Sequence, residues 1–113
     1  MVTIDTETCG LCGPAVIIQY AFDDGPIQIH NFWKETFIDS LILLEKIAAD
    51  DVVGFNLAFD WFQINKIWTM FELYLKKNPG SANEYPEEHI EELVELEAEA
   101  RDGRCVKPKG ACD

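Results

Sequence analysis

The run PAVIIQYAF, residues 14–22, constrains the fold more than any other stretch of this chain. It is β-branched and largely apolar, the pattern of a central strand buried on both faces. DDGP (23–26) follows as a strong turn signal, and IQIHNF (27–32) then alternates apolar with polar residues, as a more exposed hairpin partner does. The middle of a sheet is therefore expected here, and the remaining elements are read around it.

Val2–Thr6 reads as a strand before the hairpin. Thr36 with Asp39 three residues on resembles a capping box, and Phe37, Leu41, Leu44 and Ala48 follow at helical spacing to about Asp50. VVGFN (52–56) is short and apolar, a fourth strand, with Asn56 placed to cap the next helix. In that helix Ile64, Ile67, Trp68, Phe71 and Leu75 form one stripe. Residues 76–85, KKNPGSANEY, have the composition of a linker. Pro86 opens an acidic helix with apolar points at Ile90, Leu93 and Val94 and Gly103 beyond its end, and 105–113 carry no obvious element. The order predicts an α/β fold with a mixed sheet: three antiparallel strands plus a fourth running parallel to the first through a right-handed crossover. The expected division is 1–75, a linker 76–85, and an acidic helix with an irregular tail over 86–113.

Charge excludes some functions. With 21 acidic and 9 basic residues the net charge is −12, and neither part of the chain is basic: 11 acids face 3 bases up to Leu75, and 10 face 6 after it. A module that grips nucleic acid by neutralising phosphates has the opposite balance. A nuclease whose acidic site holds divalent cations escapes that objection. No apolar run is long enough to span a membrane. MVTIDTET lacks the basic start and apolar core of a secretion signal, so the expected compartment is the cytoplasm. Cys9 and Cys12 form a C-x-x-C, but Cys105 and Cys112 are not at knuckle spacing, so free thiols are expected rather than a zinc module.

The candidate chemistry lies in TIDTETCGLC, residues 3–12. Asp5 and Glu7, two apart on a strand, point the same way and repel unless a cation joins them. Asp60 falls on the first turn of the helix after the fourth strand, where the helix dipole favours a carboxylate. Ligands of open α/β sheets gather beyond the carboxyl ends of parallel strands, where all three acids are expected to arrive. Spacing alone also allows a solvated Asp5–Glu7 pair and an ordinary first-turn Asp60.

D-T-E-T-x-G-L at 5–11 coupled to VGFNLAFD at 53–60 resembles the first two motifs of the DEDD 3′–5′ exonuclease superfamily. The nearest likeness is to the proofreading domain of family A DNA polymerases of the phage type. The resemblance covers residues 2 to 75 and implies a ribonuclease H-like fold, two divalent cations (Mg²⁺ or Mn²⁺) and the 3′ end of single-stranded DNA as substrate. It further implies that Asp5 bridges both metals, Glu7 binds the ion that activates water, and Asp60 holds the second, largely through water. Leu11 matches the residue pressed against the terminal base, or is ordinary core. Asn56 touches substrate or caps its helix, and Thr6 offers backbone contacts to the last nucleotide. Phe59 matches the aromatic of the second motif and is expected in the core.

The family's third motif, an Asp with Tyr four residues or His five residues before it, does not occur after Asp60. His30 and His89 are read instead as a strand-edge residue and a solvated helix residue. The chain is thus expected to be the front part of an exonuclease domain, truncated before its last strand and helix and inactive alone. The remainder of a polymerase chain or a completing subunit is the expected partner. The alternative is an inactive remnant, or a nucleic-acid-binding or structural subunit completed by a partner.

Overall fold

The structure is a computed structural model and describes residues 1–9 and 14–101. Leu11, Cys12, Gly103, Cys105 and Cys112, and the expectations attached to them, lie outside the described residues. Three strands come first: β1 (Val2–Thr8), β2 (Ala15–Phe22) and β3 (Gln28–Asn31). Helix α1 (Phe37–Ala48), strand β4 (Val52–Val53), helix α2 (Leu57–Lys77) and helix α3 (Ile90–Arg101) complete the fold. The sheet order is β3-β2-β1-β4, with β4 parallel to β1 and the other pairs antiparallel. The fold is α/β with a mixed four-stranded sheet, as the element order implied.

The β2–β3 hairpin forms where DDGP predicts it. Asp23 takes a left-handed conformation (φ 52°), which an aspartate tolerates better than most residues, and Gly25 N–H donates to Phe22 O at 2.9 Å. β2 is not buried on both faces, however. Along β1 Val2, Ile4 and Thr6 are buried while Thr3, Asp5 and Glu7 are exposed. The buried row joins Ile18, Val52 and the apolar residues of α1 and α2 in one core. On the other face Ile17, Gln19 and Ala21 are only partly covered, because among the described residues the helices pack against one side. The long apolar run in β2 reflects a central position, not two covered faces.

Strand β4 is two residues long rather than five. A Cβ on Gly54 would stand 3.1 Å from Ile4 O, so the chain passes β1 at glycine distance and leaves the sheet at once. Asn56 occupies the N-cap position of α2 but its side chain makes no cap hydrogen bond. Thr36 does cap α1, accepting from Asp39 N–H at 3.2 Å. The buried face of α1 is Phe37, Ser40, Leu43, Leu44 and Ile47, with Leu41 and Ala48 at its margin.

Helix α2 is buried on more than one stripe: Trp61, Ile64, Ile67, Trp68, Met70 and Phe71 are all covered, as are Gln63 and Lys66. It lies between the sheet and α3, and Lys66 Nζ reaches Glu97 Oε1 at 3.4 Å. In α3 the buried positions are Leu93 and Leu96, whereas Ile90 and Val94 are about half exposed at 49% and 50%. The cause is local: Pro86–His89 forms a tighter 3-10 turn, so the α-helix starts at Ile90 and its apolar phase shifts. Residues 76–85 return the chain to α1, where Phe37 N–H donates to Glu84 O (3.1 Å) and Ile38 N–H to Ala82 O (3.0 Å).

Candidate functional site

The elements converge on the carboxyl end of β1. Asp5 and Glu7 share its exposed face, opposite Gln19 and Ile17 of β2, with a bulge between Glu7 and Thr8. Thr6, between them, faces the helices. Asp60, on the first turn of α2, is 4% exposed and reaches under β1 to Thr6. Thr6 Oγ1 donates to Asp60 Oδ1 at 2.6 Å, and Thr6 N–H to the same oxygen at 3.3 Å. β1 and α2, 54 residues apart in sequence, are thus tied by one carboxylate.

The electrostatics follow from that placement. Burial pushes the Asp60 carboxyl above its ordinary range, the two Thr6 hydrogen bonds pull it back, and the negative charge of Asp5 pushes it up again. Asp5 is therefore within electrostatic reach of Asp60, although the two stand on opposite sides of β1. Gly54 leaves room here, since a Cβ on it would lie 3.7 Å from Asp60 Oδ2. As donors, Asp5 and Glu7 offer solvent-facing carboxylate oxygens on one surface, the chemistry that suits a hard divalent cation. Asp60 has one oxygen committed to Thr6.

The predicted residues are brought to one end of the sheet but not into one cluster. Among the described residues, three donors within 4.8 Å of one another occur at Glu84, Glu88 and His89, a group able to hold a metal ion, and not at Asp5, Glu7 and Asp60. The N–H and hydroxyl of Thr6 are both turned to Asp60 rather than outward. Phe59 is not core: it is 37% exposed, because its position on α2 lies off the stripe that meets the sheet. Phe55 is fully exposed, and Phe62 (47%) and Val53 (44%) add to the apolar surface beside β4.

His89 also departs from its expected role. It packs on Tyr74 (ring centroids 5.2 Å) and its Nε2 lies 2.9 Å from Glu84 Oε1, so it is not a solvated helix residue. The signal was present in EYPEEH, where a glutamate precedes a second glutamate by four residues and a histidine by five. His30, on edge strand β3, is half-buried, with Nε2 2.7 Å from Ser40 Oγ of α1. Cys9 is a free, exposed thiol. No helix among the described residues is long and apolar enough to cross a membrane. Comparison with family models, with curated proteins and with solved structures returned no match.

Proposed function

We propose that this chain is the front part of a metal-dependent 3′–5′ exonuclease domain of ribonuclease H-like fold, as in a proofreading DNA polymerase. The supporting observation is the juxtaposition of two sequence motifs: Asp5 and Glu7 stand at the carboxyl end of a strand that is locked to Asp60 through Thr6. Parallel pairing of β4 with β1 delivers α2, and so Asp60, to that end. In this reading Asp5 and Glu7 would hold a Mg²⁺ or Mn²⁺ ion on the open face, and Asp60, bonded to Thr6 on the other side of β1, would support a second only through water. Bound ions of this kind supply hydroxide for attack on the terminal phosphodiester of single-stranded DNA and support the departing 3′ oxygen. Asn56, with no cap bond of its own, is free to meet the substrate beside them. The third-motif Asp and its Tyr or His, absent from these residues, are supplied from elsewhere. Replication in the cytoplasm is the corresponding setting.

A second reading, a partner-completed binding or structural subunit, is favoured by the exposed β4 edge with Val53, Phe55, Phe59 and Phe62. One experiment separates the two. The 113-residue chain should degrade 3′-labelled single-stranded DNA at background with Mg²⁺ or Mn²⁺. Each missing acid–base group typically costs about 10²–10⁴-fold in rate. A version extended with adjoining coding sequence that carries the third motif should digest from the 3′ end, and Asp5→Ala should abolish that activity. An extended protein without activity would reject the exonuclease reading and leave the subunit reading.

A further inference from the structure

A second group of metal donors lies away from β1, on the turn that leads into α3. Glu84, Glu88 and His89 each present one ligand atom, and these atoms all lie within 4.8 Å of one another. We propose that they form a binding site for a single first-row transition-metal dication, with zinc the best fit and the remaining coordination positions open to water.

The donors are held by separate parts of the fold. Glu84 O accepts from Phe37 N–H at the start of α1 (3.1 Å), and Glu84 N–H donates to Ser81 O (3.0 Å). The turn carrying Glu88 and His89 is fixed by Glu87 N–H on Trp33 O (3.1 Å) and by Glu88 N–H on Tyr85 O (3.1 Å). The His89 ring rests against Tyr74 at 5.2 Å and Phe37 at 6.3 Å, and those two rings stack on each other at 4.9 Å. The imidazole is therefore positioned by packing before any ligand arrives, the condition under which a small site loses least entropy on binding.

Distances fit one ion. Two ligands on zinc, with bonds of about 2.0–2.1 Å, lie roughly 3–3.4 Å apart at right-angled to tetrahedral geometry. His89 Nε2 and Glu84 Oε1 stand 2.9 Å apart, joined by a hydrogen bond in which Nε2–H donates to the carboxylate, and the ion would take the place of that proton, which is released to solvent. Glu88 is exposed and can close the remaining gap by a change of rotamer. An imidazole beside two carboxylates selects zinc, nickel or copper over magnesium and calcium, which prefer all-oxygen shells. Three protein donors with an open position are the pattern of a zinc site that keeps water. Glu87, Glu91 and Glu92 add negative charge to the same stretch, and no Lys or Arg lies within it. This site shares no residue with Asp5, Glu7 and Asp60, so it stands or falls independently of the exonuclease reading.

The test is calorimetric titration of the 113-residue chain with Zn²⁺, its thiols alkylated so that cysteines do not compete. With Mg²⁺ in roughly hundredfold excess to occupy all-oxygen sites such as Asp5–Glu7, one equivalent of Zn²⁺ should bind. His89→Gln, which keeps a planar polar side chain, and Glu88→Gln, an exposed change that leaves the fold intact, should each weaken binding by roughly tenfold or more. Zinc should raise the melting temperature of the wild type, and less so that of Glu88→Gln. Glu45→Gln, an exposed change on α1 away from both groups of acids, should bind zinc as the wild type does. No uptake, or uptake unchanged in both Glu88→Gln and His89→Gln, would overturn the assignment.

Discussion

Replacing Thr6 by Val tests the link between β1 and α2 directly. Valine keeps the shape of threonine and its preference for strands, so the loss is confined to the hydroxyl that donates to Asp60 Oδ1 at 2.6 Å. Hydrogen bonds to charged groups contribute about 1.5–3 kcal/mol, and here the acceptor is a buried carboxylate, so a cost of about 2 kcal/mol is expected. At this chain length about 1 kcal/mol moves the melting temperature by roughly 4 °C, giving a fall of about 8 °C. The pH dependence carries the sign. Burial holds the Asp60 carboxyl above its unfolded value, so the native state binds that proton more tightly than the unfolded chain. Ionised Asp60 then costs stability above its titration range, and the cost fades as pH falls through it. Thr6→Val removes a bond that opposes the rise, so its deficit should be largest at neutral pH and shrink on acidification. Urea unfolding from about pH 7 to about pH 4 measures this, with Asp60→Asn as the second arm of a double-mutant cycle. In the Asp60→Asn background, where the acceptor is neutral, the hydroxyl should contribute only about 1 kcal/mol. A Thr6→Val cost below about 0.5 kcal/mol, a value ordinary for surface changes, would refute the argument. So would an equal cost in the wild-type and Asp60→Asn backgrounds.

Two further outcomes probe the rest of the fold. Leu93→Ala should destabilise by about 2–5 kcal/mol, because Leu93 is fully buried between α3 and α2. Val94→Ala, half exposed one residue later, should stay within about 0.5 kcal/mol. Equal effects in chemical denaturation would mean that α3 docks by another face. Burial lowers the His30 pKa below its ordinary 6.5, with Glu35 and Asp39 working weakly against the shift. The unfolded chain therefore takes up a proton that the native state resists, and stability should rise with pH through and just below 6.5. His30→Gln should flatten that rise, and a melting-temperature series across roughly pH 5–7 would detect its failure to do so.

What was legible in the sequence follows from how local each signal is. DDGP sets the β2–β3 hairpin by turn chemistry, and the register places Ile18 opposite His30 and Thr6. The parallel β1–β4 pair follows from a general rule of chain crossover, which needs no contact information. The phase of α3 was not legible, because nothing local distinguishes a 3-10 from an α-helical turn over Pro86–His89. Nor was the all-round burial of α2, since Gln63 and Lys66 are covered by tertiary packing that composition does not announce. At the site, the spacing of Asp5 and Glu7 gave their shared face, but not the bond from Thr6 that turns Asp60 to the other side of β1. A threonine between two acids reads as a neutral strand residue until its partner, 54 residues away, is known.

The sheet face left uncovered among the described residues bears on whether Asp5 and Glu7 are merely solvated charges. A sheet face that has only water to meet carries polar residues along every strand, as the alternation of antiparallel sheets shows. Here the neighbours are otherwise. Glu7 stands opposite Ile17, Thr3 lies between Ala21 and Val53, and Gln19, opposite Asp5, is followed outward by Ile29 at 67% exposure. Asp5 and Glu7 are open to water, but two like carboxylates set two residues apart on one face still repel each other. The apolar positions gain nothing from exposure either. The proposed exonuclease reading would account for both, with a cation at Asp5 and Glu7 and further polypeptide over Ile17, Ile29 and Val53. The proposed exonuclease domain requires both, whereas an independent strand-edge acid pair requires neither.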